Sequence, residues 1–134
     1  MLALIESKLR IASAAVVNAP MSVRQNVQTW ERALKREFAW DLAAEDAARR
    51  FDVAAHASQI AKRRPRAAIL MMQSDADPLL PLSSTFAAYA ALEEAYRVEA
   101  AGQEIRISVM PGRGHDFSKS SPVADEIRAW LRSR

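Results

Sequence analysis

Residues 66–73 read Arg-Ala-Ala-Ile-Leu-Met-Met-Gln, an apolar run without the alternation that a strand with one wet face would show. Such a run suits a strand covered on both faces, and strands of that kind belong to parallel sheets with helices packed above and below. Residues 11–18, Ile-Ala-Ser-Ala-Ala-Val-Val-Asn, have the same character and are bounded by Arg10 and Pro20. A third strand is predicted at 104–110, where Glu-Ile-Arg-Ile-Ser-Val-Met alternates.

The segments between these runs carry helical spacing. Ser22 with Gln25 three residues on forms a capping box, followed by Val23, Val27, Trp30, Leu34 and Phe38 on one stripe. A shorter helix is expected after Asp41, and residues 52–64 read as a polar connection with one weak turn around Ala55 to Ile60. Ser83 or Ser84 can cap a helix that turns Phe86, Tyr89, Leu92 and Tyr96 inward, with Gly102 as its left-handed stop. Ser121 caps and Pro122 starts a last helix with Val123, Ile127, Trp130 and Leu131 on one face. Before the first strand, Leu2, Leu4, Ile5 and Leu9 read as the tail of a helix that would begin upstream of Met1. The expectation is an α/β fold: a three-stranded parallel sheet, strands about 11–18, 66–73 and 104–110, with flanking helices. At 134 residues the chain is expected to be one domain, 1–134, with residues 21–64 as a helical excursion.

Composition removes whole classes of chemistry. The only glycines are Gly102, Gly112 and Gly114, so there is no phosphate loop and no G-x-S-x-G nucleophile elbow. A G-x-G-x-x-G turn fails because Phe117 stands where its third glycine belongs. Lys and Arg number 19 against 16 Asp and Glu, a net charge of +3, and the basic stretch Lys62-Arg63-Arg64-Pro65-Arg66 lacks interleaved aromatics. It is read as a solvated strand entrance, with no nucleic-acid partner. Without cysteine, disulfides, thiolate catalysis and cysteine-ligated zinc are excluded. His56 has no acidic or histidine partner at i+4, so no metal site is expected, and no cofactor is implied. The N-terminal stretch is too soon interrupted by charge to be a signal peptide, and no run approaches membrane-spanning length. The cytoplasm is the default location.

In a parallel sheet all strand carboxyl ends share one edge, where open α/β sheets place their chemistry. There the second strand delivers Asp75 and Asp77, and the third delivers His115. A carboxylate on one ring nitrogen fixes the tautomer and leaves the other free to take a proton from a nucleophile. A polar loop end with a surface histidine is the plain alternative. Asp116 is a rival acid. Trp30, Phe38, Trp40 and Phe51 are read as packing on the sheet, with an acyl-pocket lining as the alternative.

Gln73-Ser-Asp-Ala-Asp-Pro-Leu-Leu-Pro81 and Met110-Pro-Gly-Arg-Gly-His-Asp-Phe117 resemble, in order and separation, the two C-terminal signatures of the α/β-hydrolase superfamily. The likeness is to its esterases, dienelactone-hydrolase-like proteins and prolyl-oligopeptidase-like peptidases. It implies that Asp77 is the acid of a Ser-His-Asp triad, with Asp75 bracing the turn, and that His115 is the base. Ser74 stands where the first signature has glycine, and Leu80 where it has valine. The three strands would then be the sixth to eighth of the superfamily sheet, its back half, with residues 21–64 as the variable, cap-like excursion.

The resemblance also implies a nucleophile elbow and an oxyanion loop, and neither is found in these residues. Ser74, Ser83, Ser84 and Ser118 lie near the right edge, but none sits on a sharp strand-to-helix elbow. The expectation is therefore the C-terminal part of a serine hydrolase acting on a carboxylic ester or related acyl substrate, nearly inert alone. The unpaired edge of strand 11–18 is expected to take a complementing N-terminal chain or a second copy, giving a homo-oligomer. The alternatives are a non-catalytic dimerisation module and a small-ligand-binding domain.

Overall fold

The computed structural model describes residues 2–6, 8–115 and 121–134. In chain order the elements are α1 (Leu2–Glu6), β1 (Ser13–Val17), α2 (Val23–Leu34), α3 (Leu42–Arg50), α4 (Ala57–Ala61), β2 (Ala68–Ser74), α5 (Leu82–Val98), a 3-10 turn (Gly102–Glu104), β3 (Ile105–Met110) and α6 (Ser121–Arg132). The strands form one parallel sheet in the order β1-β2-β3. Ser13 pairs with Ala68 and Val17 with Met72, while Ile69 pairs with Ile105 and Ser74 with Met110. All three carboxyl ends therefore meet at one edge. The strands open one or two residues later than the apolar runs suggest, and β2 continues one residue past Gln73.

The uninterrupted apolar character of β2 has its explanation in the two cores. Every residue of β2 is buried. Ile69 and Met71 face a core with Val53, Ile60, Leu92 and Tyr96, whereas Ala68, Leu70 and Met72 face a second core with Val123 and Trp130 of α6. Between the two cores, over Ala68–Met72, the strand has no face for polar side chains, and the buried polar Gln73 and Ser74 come only at its carboxyl end. Tyr96 is fully buried and donates its hydroxyl to the Ala67 carbonyl at 2.6 Å. Burial is the main cause pushing its phenol up to about 12, with Glu104 adding and Arg66 opposing.

Asp41 caps α3 as expected, its Oδ1 accepting from the Ala44 amide at 2.8 Å. Other boundaries differ from expectation for local reasons. Ser22 is the N-cap of α2 in extended backbone, but its hydroxyl makes no capping hydrogen bond and the residue is buried. The N-cap of α5 is Pro81, so Ser83 and Ser84 lie inside the first turn, where the Ser84 hydroxyl donates back to the Pro81 carbonyl. The left-handed residue after α5 is Ala100, not Gly102. It carries the buried Ala101 inward, where the Ala101 amide bonds the Tyr96 carbonyl at 2.8 Å, and Gly102 opens the 3-10 turn. The Ser121 cap lies outside the described side chains.

The inward stripe of α5 is also shifted. Thr85, Ala88, Leu92 and Tyr96 are buried, and Phe86 is 46% exposed, because small side chains at 85 and 88 let the helix approach the sheet closely. On α2 the buried residue is Asn26, with Trp30 42% and Leu34 63% exposed. Lys35 turns left-handed and ends the helix before Phe38 is reached. Trp30, Phe38, Trp40 and Phe51 belong to neither core: the Trp30 indole donates to the Leu79 carbonyl and the Trp40 indole to Glu45.

Three arginines of the basic stretch make internal bonds, while Lys62 and Arg64 stay exposed at the strand entrance. Arg63 donates to the carbonyls of Leu4 and Leu9, and Arg64 and Arg66 share Glu99. These bonds fasten α1 and α5 around the entrance to β2. Among the described residues no helix is long and apolar enough to cross a membrane.

Candidate active site

β2 ends at Ser74, and the loop that follows is built by side chains bonding its own backbone. The Ser74 hydroxyl accepts from the Ala76 amide at 3.1 Å and donates to the Arg113 carbonyl. Serine at this position thus supplies a tie across to the neighbouring loop. Asp75 supplies another, its Oδ1 accepting from the Gly112 amide at 2.7 Å. Gly112 has φ 62, the left-handed region open to glycine at little cost. Asp75 therefore braces the β3 loop.

Asp77 folds back on its own turn. Its Oδ1 accepts from the amides of Leu79 at 2.8 Å and Leu80 at 3.1 Å, an arrangement short acidic side chains favour in turns. That leaves Oδ2 directed at His115, whose Nδ1 lies 2.8 Å away. The Asp77 side chain is 0% exposed and the imidazole 45%. The amide nitrogen of buried Gln73 stands 3.4 Å from the same Oδ2, and its oxygen accepts from the Thr85 hydroxyl. An ionised carboxylate can only accept, so donors on both oxygens hold it in one orientation and require Nδ1 to donate. The Nε2 lone pair of His115 has no partner among the described residues, and the half-exposed ring presents it to the edge.

Two predicted residues that stand 38 positions apart are thus brought together by parallel register, since β2 and β3 both end at this edge. Gln73 and Thr85 were not legible as site residues, although a lone polar residue closing a buried apolar run was a signal. Asp116 and Ser118 lie outside the described residues. Ser74 is buried with its hydroxyl engaged. His56 uses both ring nitrogens locally, toward Gln59 Oε1 and the Arg49 carbonyl, each at 3.1 Å. Among the described residues no cluster of three or more metal-ligating side chains occurs.

A parallel sheet with helices packed against it, of the kind built here, is the architecture of the α/β-hydrolase superfamily. The chain belongs to the prolyl oligopeptidase family within it, whose family model matches residues 1–132, and so to a group of serine-hydrolase type. No curated protein and no solved structure matches the chain.

Proposed function

We propose that this chain provides the acid and the general base of an acyl-hydrolase site. Asp77 orients His115, and His115 Nε2 takes the proton of a serine hydroxyl as its oxygen attacks the carbonyl carbon of an ester or related acyl substrate. The same nitrogen returns that proton to the departing alcohol or amine; water, activated in turn, then releases the acid from the acyl-serine. The observation that carries the reading is the 2.8 Å bond from a buried carboxylate to a half-exposed imidazole at the carboxyl edge of the sheet. Family membership supports it. The attacking serine and the oxyanion donors are assigned to polypeptide outside these 134 residues, because none of Ser74, Ser83 and Ser84 sits on an elbow beside Nε2. In this reading the chain is a single domain, residues 21–64 are its cap-like excursion, and alone it turns over little substrate.

The partner would dock through β1, which pairs only with β2 among the described residues and so keeps one row of backbone groups available. A complementing N-terminal polypeptide fits that edge, and a second copy about a two-fold axis is the alternative.

The test is hydrolysis of a short-chain aryl ester by this chain mixed with the polypeptide encoded immediately upstream. Turnover that appears on mixing and disappears with His115→Ala is expected. Turnover that survives His115→Ala overturns the reading of His115 as the base, and a complete assembly inert to a serine-directed phosphonate overturns it in favour of a non-catalytic module. Sedimentation at micromolar concentrations reads the second point, and a monomer throughout would exclude self-association through β1.

A further inference from the structure

We propose that Asn18 is the positioning residue for His115, an inference that rests on the reading of Asp77 and His115 given above. Asn18 is the first residue beyond β1, and its amide continues the ladder by donating to the Met72 carbonyl at 2.9 Å. Its side chain then reaches both neighbouring strand ends. Oδ1 accepts from the Ser74 amide at 3.2 Å, and Nδ2 donates to the carbonyl of His115 itself. Only one orientation of the side-chain amide satisfies both, since the Ser74 group must donate and the His115 group must accept.

The loop from Met110 to His115 is held at three backbone groups, each by a side chain from another strand end. Asp75 takes the Gly112 amide, Ser74 the Arg113 carbonyl and Asn18 the His115 carbonyl. Only the last acts on the residue whose ring carries the proton. It also comes from the opposite side of the sheet, so it triangulates what two ties from β2 alone would leave free to swing. A ring that is 45% exposed lacks enclosing packing to aim it. Its direction follows from where its backbone is pinned and from the single bond to Asp77.

The backbone of Asn18 carries an independent sign of this role. Its φ is 41, a left-handed conformation that side-chain-bearing residues rarely adopt and that Asn tolerates better than most. Immediately before Ala19 and Pro20 the chain must leave the sheet, yet the conformation adopted is one that returns the amide side chain across the strand ends.

The chain has only two histidines, so the imidazole ¹⁵N and ¹H spectrum contains His115 with His56 as an internal reference. Wild-type chain should give a His115 Nδ1 proton at low field and the Nδ1–H tautomer. Asn18→Gly keeps the left-handed backbone and removes both side-chain bonds. Asn18→Asp keeps the acceptor for the Ser74 amide and removes the donor to His115. Both variants should lose at least half of that proton signal through exchange and tautomer mixing, with the His56 resonances unmoved. In the assembled enzyme both should lower kcat about tenfold to a hundredfold, with KM unchanged. Wild-type signal in Asn18→Gly, or loss in Asn18→Gly with retention in Asn18→Asp, overturns the assignment. Asp77→Asn separates the two claims. If it removes the low-field proton while Asn18→Gly does not, only the role of Asn18 falls; if it leaves that proton in place, the acid–histidine pair falls as well.

Discussion

The two histidines occupy regions that use the same ring in opposite ways. At the joint between α3 and α4, His56 has Gln59 Oε1 on one nitrogen and the Arg49 carbonyl on the other, both within seven residues in sequence. At the sheet edge, His115 has one nitrogen on a carboxylate 38 residues away and the other directed to the surface. The first ring is a fastener: acceptors stand against both nitrogens, and a neutral imidazole donates to one of them at a time, so neither nitrogen faces open solvent for a third group. The second is fixed at one end and available at the other, the arrangement a proton carrier needs. Identity of the residue says little about function here; the number of nitrogens left open says much more.

The largest expected effect is on His115. Replacing it with Ala should lower ester hydrolysis by the assembled enzyme roughly 10⁴-fold or more, whereas His56→Ala should leave kcat within about twofold. Equal losses from the two variants would erase the functional contrast. Asp77→Asn comes next, at about 10³-fold in kcat, because the Asn side chain can still accept from Leu79 and Leu80 but no longer enforces the productive tautomer. Single-turnover kinetics should place that loss in the chemical step.

On stability the order of the histidines reverses. His56→Ala removes the ring that bridges the end of α3 and the start of α4 and should cost about 1 kcal/mol, a lower Tm by a few degrees in a thermal melt. His115→Ala, at an exposed loop, should shift Tm by much less. The smallest effect concerns acid sensitivity beside the His56 region. The Trp40 indole N–H, followed by the charges of Arg24 and Arg49, holds the Glu45 carboxyl below its usual range, with desolvation opposing. A carboxyl lowered on folding contributes stability that is present above its unfolded value and is lost as pH falls through the folded one. Trp40 fluorescence should report loosening of α2 against α3 as the solution is acidified below the ordinary carboxylate range. Glu45→Gln should remove that pH step.

Much of this contrast was legible beforehand, and what was not has physical causes. Asp75, Asp77 and His115 could be grouped because parallel strands place all carboxyl ends together, so loops following two predicted strands had to be neighbours; the choice of Asp77 over Asp75 came from the family resemblance. His56 could not be recognised as enclosed between two acceptors, since these, a Gln side chain and a main-chain carbonyl, leave no trace in a pattern of apolar positions. Ser74 looked like a departure from a glycine; only the cross-loop bond to Arg113 shows that its hydroxyl has a task. The stripe of Val23, Val27 and Trp30 was visible as periodicity, but a period fixes which residues share a face and not whether anything covers that face. On α5 the same limit shifted the inward face from Phe86 to Thr85 and Ala88.

Sequence alone determined the class of sheet, through runs too apolar to have a wet side, and the two loops that hold the acid and the imidazole. Those are one-dimensional properties, set by composition and local order along the chain. The tertiary structure decided which oxygen of Asp77 faces the ring, which nitrogen of which histidine stays open, and that Asn18 reaches across to the His115 carbonyl. Each of these depends on register between strands tens of residues apart, and hydrogen bonds with angular demands are satisfied only once that register is set.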